Sequence, residues 1–406
     1  MNKAKTVLTY IALIFTSLSQ AGCKANDSIY TIPFTLYDDI AVVKLKINGS
    51  DTLNFVFDSG TTTSLIDSIT ADRIGLISDD SQGLLLNNDY LEMPMATIKT
   101  IKTGNLVLVN RPVIIQKSFE NYNRITGIPI NGIIGMDIFN RYPTLLNFDK
   151  LQIQVGNAID TTGYKELDVK MHNDLFYVDA SIFMSKSDSL NNRFLFDTGD
   201  MTALSLAEPF WRKNDLLTKS KSYYSGINRS SSALTSPTYF GNFDGISLQN
   251  YRFGDIYLNL TSAKRGFFSN DSIAGTIGID ILKRFNIIIN LRDEKLYIKP
   301  NSKFNDPYRI NTTGLRARLN PDLSQCVVEA VLQYSPAEQS GIQVGDIIVS
   351  INGIPASTKN IPKIRQMLRS IPGTKLQITV NRNNEILQYS VNCNTFSDTK
   401  KATDNN

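Results

Sequence analysis

Two short motifs, each centred on an aspartate, occur once in each half of the chain. The first reads Asp58-Ser59-Gly60 and the second Asp197-Thr198-Gly199, and each follows a run of apolar residues. Two carboxylates a few ångströms apart cannot both ionise cheaply, so they share one proton. The ionised carboxylate can act as general base on a bound water while the protonated one donates to a carbonyl oxygen. The pair therefore predicts hydrolysis of a peptide bond, with Asp58 and Asp197 as the catalytic residues.

The residues next to each aspartate are expected to support the pair. A glycine follows two positions later in both copies, at Gly60 and Gly199, and lets the chain turn sharply and approach the other half closely. The hydroxyls of Ser59 and Thr198 can hydrogen-bond across the axis that relates the two copies, which would lock the two loops together.

The two copies differ at the next position, which is Thr61 in the first and Asp200 in the second. A third carboxylate beside the pair should raise its proton affinity, and so push the active pH upward or reduce activity. Alternatively, Asp200 points to solvent or pairs with a lysine.

The repeat extends beyond the aspartates. Apolar residues precede a glycine downstream in both copies, as Ile133-Ile134-Gly135 and as Thr276-Ile277-Gly278. A short amphipathic segment and a strand-like run follow each glycine, at 136–142 and 145–155 in the first copy and at 279–285 and 287–298 in the second. A period of about 140 residues is too long for a solenoid repeat and fits duplication of a small β domain.

Strand-like runs also precede each aspartate. In the first copy they are Thr31 to Leu36, with Pro33 predicting a sheet edge, then Ala41 to Ile47 and Leu53 to Phe57. Asn48-Gly49 is a strong hairpin signal. The second copy opens with similar runs, 175–184 and 193–196.

Hairpins that could close over a substrate are expected between each aspartate and its later glycine. Gln82 to Pro94 contains Tyr90, and Tyr223 to Pro237 contains Tyr224. Either tyrosine could orient substrate or water, or could be an ordinary surface tyrosine.

The amino-acid composition argues against nucleic-acid binding and against histidine-based active sites. The 42% apolar and 20% charged residues are typical of a globular protein, and a net charge of +4 gives no electrostatic footprint for nucleic acid. A single histidine, His172, argues against histidine-based triads and multi-histidine metal sites. No cofactor and no metal are expected.

The N-terminus predicts export. Lys3 and Lys5 precede a short apolar stretch, and small residues then lead to Cys23, as in a bacterial lipoprotein signal. We expect a lipid anchor at Cys23 on a bacterial membrane, facing the periplasm or the exterior; an ordinary cleaved signal is the alternative. Cys326 and Cys393 could pair or could be two buried thiols.

The aspartate and glycine motifs resemble those of the aspartic proteases of the pepsin and retropepsin type, over roughly residues 30–300. The resemblance implies a bilobal, mainly β fold in which each Asp-Ser/Thr-Gly loop is crossed by the apolar-Gly strand. The missing disulfide cysteines and short lobes are more similar to bacterial retropepsin-like proteins with two fused units. Two motifs in one chain would let it act as a monomer.

The C-terminal region resembles a PDZ domain of the bacterial protease-associated kind, a β-barrel with one or two short helices. The similarity lies in Ser335-Pro336-Ala337, Val344-Gly345-Asp346 and Ile351-Asn352-Gly353. PDZ domains bind an extended peptide as an added strand. The resemblance places the peptide-binding residues at Gly314, Leu315 and Arg316 of the carboxylate loop, which lacks the full Gly-Leu-Gly-Phe form, and at Lys363 and Met367 of the groove helix.

Six segments are predicted: a lipoprotein-type signal at 1–23, protease lobes at 24–157 and 158–300, a linker at 301–312, a PDZ domain at 313–393 and a polar tail at 394–406. The expected function is that of an aspartic endopeptidase acting on extended polypeptides, with PDZ-mediated binding of a peptide or partner. The alternative is a weakly active or inactive peptide-binding envelope protein of the same fold.

Overall fold

The computed structural model describes residues 28–78, 80–86, 89–140, 142–229, 235–308 and 310–397. The protein is mainly β with a few short helices, as predicted. Within these residues no helix is long and apolar enough to cross a membrane. The predicted signal segment and Cys23 lie outside them.

The first copy of the repeat forms ten strands and two helices. They are β1 (Tyr30–Tyr37), β2 (Ile40–Ile47), β3 (Leu53–Phe57), β4 (Leu65–Asp67), α1 (Ser68–Arg73), β5 (Asp80–Leu86), β6 (Asp89–Thr103), β7 (Leu106–Gln116), α2 (Glu120–Thr126), β8 (Gly132–Ile134), β9 (Thr144–Asn147) and β10 (Gln152–Val155). A 3-10 turn at Met136–Ile138 follows β8.

The second copy repeats this order. It comprises β11 (Lys165–Glu166), β12 (Val169–His172), β13 (Leu175–Phe183), β14 (Ser189–Phe196), β15 (Leu204–Leu206), α3 (Glu208–Lys213), α4 (Leu216–Lys219), β16 (Ser222–Arg229), β17 (Thr235–Leu248), β18 (Tyr251–Thr261), β19 (Gly275–Ile277), α5 (Ile279–Leu282), β20 (Phe285–Asn290) and β21 (Lys295–Pro300).

The two copies share a sheet and a hydrophobic core. A 13-stranded sheet runs β11-β21-β20-β9-β10-β1-β2-β3-β8-β4-β7-β6-β5, and an eight-stranded sheet runs β12-β13-β14-β19-β15-β18-β17-β16. Strand β9 of the first copy pairs antiparallel with the equivalent β20 of the second, with Leu145 opposite Ile288. Phenylalanines from both copies, such as Phe57 and Phe196, are fully buried in one core.

The C-terminal unit, defined here by its strands and helices, has its own core. It comprises β22 (Leu315–Leu319), β23 (Cys326–Val331), α6 (Pro336–Gln339), β24 (Ile347–Ile351), β25 (Ile354–Pro355), α7 (Ile361–Met367), β26 (Lys375–Arg382) and β27 (Glu385–Asn392). Its sheet runs β22-β23-β24-β26-β27, and Cys326 and Cys393 are buried free thiols in its core, not a disulfide.

Two local expectations are wrong. Strand β1 is not at a sheet edge: Pro33 pairs with Gln152 of β10, and the strand then switches to β2 from Phe34 onward. The runs 145–155 and 287–298 are each a hairpin and not one strand. Left-handed residues at Leu151 and Glu294, with φ of 50° and 53°, make the turns within these largely apolar stretches.

Candidate active site

Each aspartate lies at the end of a buried strand that is held by the apolar-Gly strand of the same copy. Strand β3 pairs in parallel with β8, and β14 pairs in parallel with β19. The backbone N–H of Asp58 then donates to the carbonyl of Ile134, and that of Asp197 to Ile277, both at 3.0 Å. These pairings fix the position at which each aspartate leaves its strand.

The two loops interlock across the axis. The N–H of Ser59 donates to Thr198 Oγ1, and the N–H of Thr198 donates to Ser59 Oγ, both at 3.0 Å. The Ser59 hydroxyl also donates to the carbonyl of Phe196 at 3.1 Å. These are the cross-axis hydrogen bonds that the sequence predicted.

The glycines of the two loops bring the carboxyl groups together. A Cβ built on Gly60 would lie 2.5 Å from Cγ of Asp197, and one built on Gly199 would lie 2.5 Å from Cγ of Asp58. No other residue type fits at either position without displacing the opposing carboxyl. Each loop therefore ends against the aspartate of the other copy.

Hydrogen bonds around the pair are not symmetric. Asp58 accepts from the N–H of Gly60 at 2.8 Å and from Thr61 Oγ1 at 3.1 Å. Asp197 accepts from the N–H of Gly199 at 2.8 Å and of Asp200 at 3.1 Å, but no hydroxyl takes the place of Thr61. Where the first copy has the hydroxyl of Thr61 as a donor to its aspartate, the second copy has the carboxyl of Asp200.

Among the residues that the structure describes, no lysine pairs with Asp200. Its carboxylate accepts from the Thr202 N–H at 3.0 Å and, in a short hydrogen bond, from the Thr276 hydroxyl. Burial raises the pKa of Asp200. Burial also raises the pKa of Asp197 well above its usual value, and the neighbouring charges of Asp58 and Asp200 add to this effect. Burial raises the pKa of Asp58 as well.

The pair opens into a cavity of about 1140 Å³. Its lining includes Asp58, Asp197 and Asp200, together with Tyr122 of α2 and Tyr224 of β16. Tyr122 is buried, and its pKa is raised first by burial and then by the charges of the three aspartates. It is a candidate for substrate contact that the sequence motifs do not indicate, since it lies on a helix outside the two predicted hairpins.

The two flap candidates have different surroundings. Tyr90 lies near the tip of the predicted hairpin, in β6 opposite Leu85 of β5, and its side chain is outside the described residues. Tyr224 lies in the second hairpin, but it is buried, with its ring stacked on Phe240 at 5.0 Å between centroids. A packed ring of this kind is a wall of the cavity and not a mobile tip.

The predicted peptide-binding residues of the C-terminal unit are divided between two places. Gly314 precedes β22 with φ of 78°, and Leu315 and Arg316 of β22 line the same cavity as the aspartates. Lys363 is exposed on α7, and Met367 is partly buried against the core of the unit. Part of the predicted peptide-binding site, Leu315 and Arg316, therefore lines the predicted active-site cavity, whereas Lys363 does not.

Within the described ranges, no group of three His, Cys, Asp or Glu side chains is placed to hold a metal ion. His172 is exposed at the end of β12.

Two family models match the chain. Residues 43–138 match the model described as aspartyl protease, a range that contains Asp58 and Gly135 but not Asp197. Residues 327–382 match the model described as PDZ domain. The chain thus combines an aspartyl protease domain with a C-terminal PDZ domain, the architecture that the motifs resemble.

Two curated proteins are similar to short parts of the chain. A 71-residue stretch, 18% of the chain, is 30% identical to 17% of a carboxyl-terminal-processing protease of Synechocystis sp.. An 84-residue stretch, 21% of the chain, is 27% identical to 17% of a probable CtpA-like serine protease of Staphylococcus saprophyticus. The chain therefore covers about a sixth of the length of these relatives.

Proposed function

We propose that this chain, which carries an aspartyl protease domain followed by a PDZ domain, is an aspartic endopeptidase. The observation that supports it most is the reciprocal fit of the two loops, in which Gly60 approaches Asp197 and Gly199 approaches Asp58. Such a fit places two carboxyl groups, Asp58 buried and Asp197 partly buried, at one point on the wall of a large cavity. Carboxyls with raised pKa that lie together in a cavity are candidates for catalysis.

The asymmetry assigns the two roles. Asp58 receives hydrogen bonds from Gly60 and Thr61, which favour its ionised form. Asp197 lies beside a second carboxyl, that of Asp200, which favours its protonated form. We therefore assign the general base to Asp58 and the general acid to Asp197, while the titration itself belongs to the pair.

The reaction then runs in two steps. Asp58 takes a proton from water as the water oxygen attacks the scissile carbonyl carbon, and Asp197 gives its proton to the carbonyl oxygen. In the second step Asp58 gives its proton to the leaving nitrogen, the C–N bond breaks, and Asp197 recovers a proton from the hydroxyl. One water is consumed, and a carboxylic acid and an amine are released.

The test is cleavage of a labelled, unfolded protein such as casein between pH 3 and pH 8. Asp58→Asn and Asp197→Asn should each lower kcat/KM at least about 100-fold, since general acid–base catalysis contributes that much or more. Wild-type cleavage should be blocked by pepstatin. The matched control is Asp179→Asn, which removes a carboxylate paired with Arg193 at 2.8 Å outside the cavity. Absence of cleavage by wild type across this range would overturn the proposal.

A peptide-binding protein without activity is the second candidate. Asp200 favours it, because a third carboxyl beside the pair raises the pair's proton affinity, and a pair with both carboxyls protonated has no general base. In the same assay this candidate predicts pepstatin binding by wild type without cleavage.

We also propose that the protein is exported and anchored by a lipid on Cys23. Lys3, Lys5 and the apolar segment before Cys23 support it. Metabolic labelling with a fatty acid should mark wild type and not Cys23→Ser, and only wild type should sediment with membranes. Equal labelling of both would contradict the anchor.

A further inference from the structure

The C-terminal unit lies against both copies of the repeat at the cavity. Helix α2 of the first copy contacts both β22 and α7. Strands β22 and β23 of this unit both line the cavity, among others with Leu315, Arg316, Arg318 and Glu329. A unit that resembles a peptide-binding module therefore forms part of the wall opposite the aspartates.

The peptide-accepting edge of this unit is already occupied. Strand β22 is the edge strand of its sheet, and among the described strands it pairs only with β23. Its outward carbonyls accept hydrogen bonds from side chains. The carbonyl of Ala317 accepts from Arg365 Nη1 at 3.1 Å and that of Leu319 from Arg124 Nε at 2.5 Å. Arg365 belongs to α7 of the unit itself, whereas Arg124 belongs to α2, so the first copy holds one acceptor, the carbonyl of Leu319, that an added strand would use.

A buried cluster of charged residues also links the first copy to the C-terminal unit. Asp38, in the turn between β1 and β2, accepts from Arg365 Nε at 2.6 Å and makes a short ion pair with Arg369. Its side chain is 0% exposed. Asp38 and Asp39 both have left-handed backbones, with φ of 50° and 72°. Such backbones favour Asn and Gly, and the ion pairs of Asp38 with the two arginines and of Asp39 with Lys283 at 2.7 Å offset the conformational cost.

The second copy of the repeat also contacts the C-terminal unit. Arg316 of β22 donates a short hydrogen bond to the carbonyl of Ile227 in β16. Phe396, beyond β27, packs on Tyr224 of β16 with 5.0 Å between ring centroids. The unit thus bridges the two sides of the cleft that an extended substrate would have to enter.

This interface is polar and incompletely satisfied. Glu329 pairs with Arg124, and its Oε2 atom, which makes no hydrogen bond among the described residues, has only longer ion-pair contacts, with Arg318 Nε at 3.5 Å and Arg316 Nε at 3.9 Å. Nε of Arg369 is also buried without a hydrogen bond within those ranges. Buried polar atoms without partners are costly, and polar contacts between domains permit relative motion. The closed arrangement can therefore be displaced by a competitor.

The chemistry of the competitor follows from the loop before β22. The N–H of Gly314 donates to Asn311 Oδ1 at 2.9 Å, and the N–H of Leu315 donates to Thr313 Oγ1 at 3.2 Å. These donors are the ones expected to hold a terminal carboxylate. Because they are satisfied internally, the edge fits an internal extended segment better than a C-terminus.

We propose that the C-terminal unit is an inhibitory lid, released when an internal extended polypeptide segment adds to β22. This proposal rests on the proposed peptidase function for what the lid inhibits. Binding on β22 displaces Arg124 from Leu319, which separates α2 from the unit and exposes the aspartates. Binding on β22 and closure of the cleft are mutually exclusive, so an unfolded polypeptide activates its own cleavage.

The test uses full-length Asp38→Asn and Arg124→Ala, with Asp179→Asn as the control. Hydrogen exchange of the amides of α2 and β22 should become at least about tenfold faster in the two interface variants and stay unchanged in the control. Pepstatin should associate faster, and casein should be cleaved several-fold faster at low substrate concentration.

The readouts separate the two proposals. Unchanged exchange in both interface variants overturns the lid, whether or not the protein cleaves anything. Faster exchange with unchanged pepstatin association also overturns it, because the unit would then dock without limiting access. Faster exchange and faster pepstatin association without casein cleavage would support the lid and contradict the peptidase.

Discussion

At the scale of single residues, the two aspartates have unequal neighbours although their loops are nearly identical in sequence. Thr61 donates to Asp58, whereas Asp200 places a third carboxyl beside Asp197. Of the alternatives that the sequence left open for Asp200, the structure supports the one in which it raises the proton affinity of its neighbours. The asymmetry should be visible in the pH dependence of the reaction.

Asp200→Asn should shift the alkaline limb of the kcat/KM profile to lower pH. Removing a negative charge lowers the pKa of Asp197, so the pair loses its shared proton earlier as the pH rises. Asparagine keeps an acceptor for the Thr202 N–H, which limits structural damage. Asp200→Thr, which copies Thr61, should shift the limb in the same direction. An unchanged or upward-shifted limb in both variants would contradict the role of Asp200.

At the scale of elements, each aspartate loop depends on the other copy for its shape. Ser59 and Thr198 exchange hydrogen bonds between backbone and hydroxyl, and both residues are buried. Neither loop alone could supply hydrogen-bond partners for these backbone N–H groups. We therefore expect the two loops to become ordered only when the two copies pack together.

Ser59→Ala should lower the free energy of unfolding by about 1–3 kcal/mol, because it leaves the buried Thr198 N–H without an acceptor. Ser59→Thr, which matches the second copy, should retain most of the stability. Urea unfolding followed by the fluorescence of the single, buried Trp211 measures both variants. Equal stability of the two would mean that the hydroxyl is not needed.

At the scale of the whole molecule, the buried carboxyls oppose stability at neutral pH. Asp137, which follows Gly135 and accepts from Ser64 Oγ at 2.8 Å, has its pKa raised to about 6 by burial. A folded pKa above the unfolded one gives stability that is complete below the unfolded pKa and is lost as the pH rises through the folded pKa. Asp58, Asp197 and Asp200 act in the same direction.

The free energy of unfolding should therefore fall as the pH rises from about 4 to about 6, the interval between the unfolded and the folded pKa of Asp137. For Asp137, a rise from 3.8 to about 6 corresponds to about 3 kcal/mol. Carboxyls with lowered pKa, such as Asp346 beside Arg382, change stability only at lower pH. Asp137→Asn should flatten the slope between about pH 4 and about pH 6 in urea titrations. If the substitution leaves the pH dependence of the free energy of unfolding unchanged, Asp137 is not its source.

Much of the fold could be predicted because apolar strands and the turn residues that bound them are local signals. Leu53–Phe57 was predicted to the residue, and the hairpin around Asn48 has the left-handed turn that its sequence indicates. The turn at Leu151 was missed because leucine rarely adopts a left-handed backbone and no local signal marks it.

The aspartate loops could be predicted as a pair because duplication repeats them with their partners. The contact of Asp38 with Arg365 could not, since it depends on how separately folded units dock and not on local pattern. Tyr122 was missed for a related reason: it lies on a helix outside the repeated motifs, and only the folded chain brings it to the aspartates.

The antiparallel pairing of β9 with β20 has an evolutionary consequence. Equivalent strands of the two copies pair about the axis, with Leu145 opposite Ile288, as two identical subunits would in a symmetric dimer. In such a dimer every mutation is present in both subunits. A substitution that only one half of the site tolerates therefore impairs the whole site. In a single chain this constraint is absent, so each half can carry residues that its twin would not tolerate.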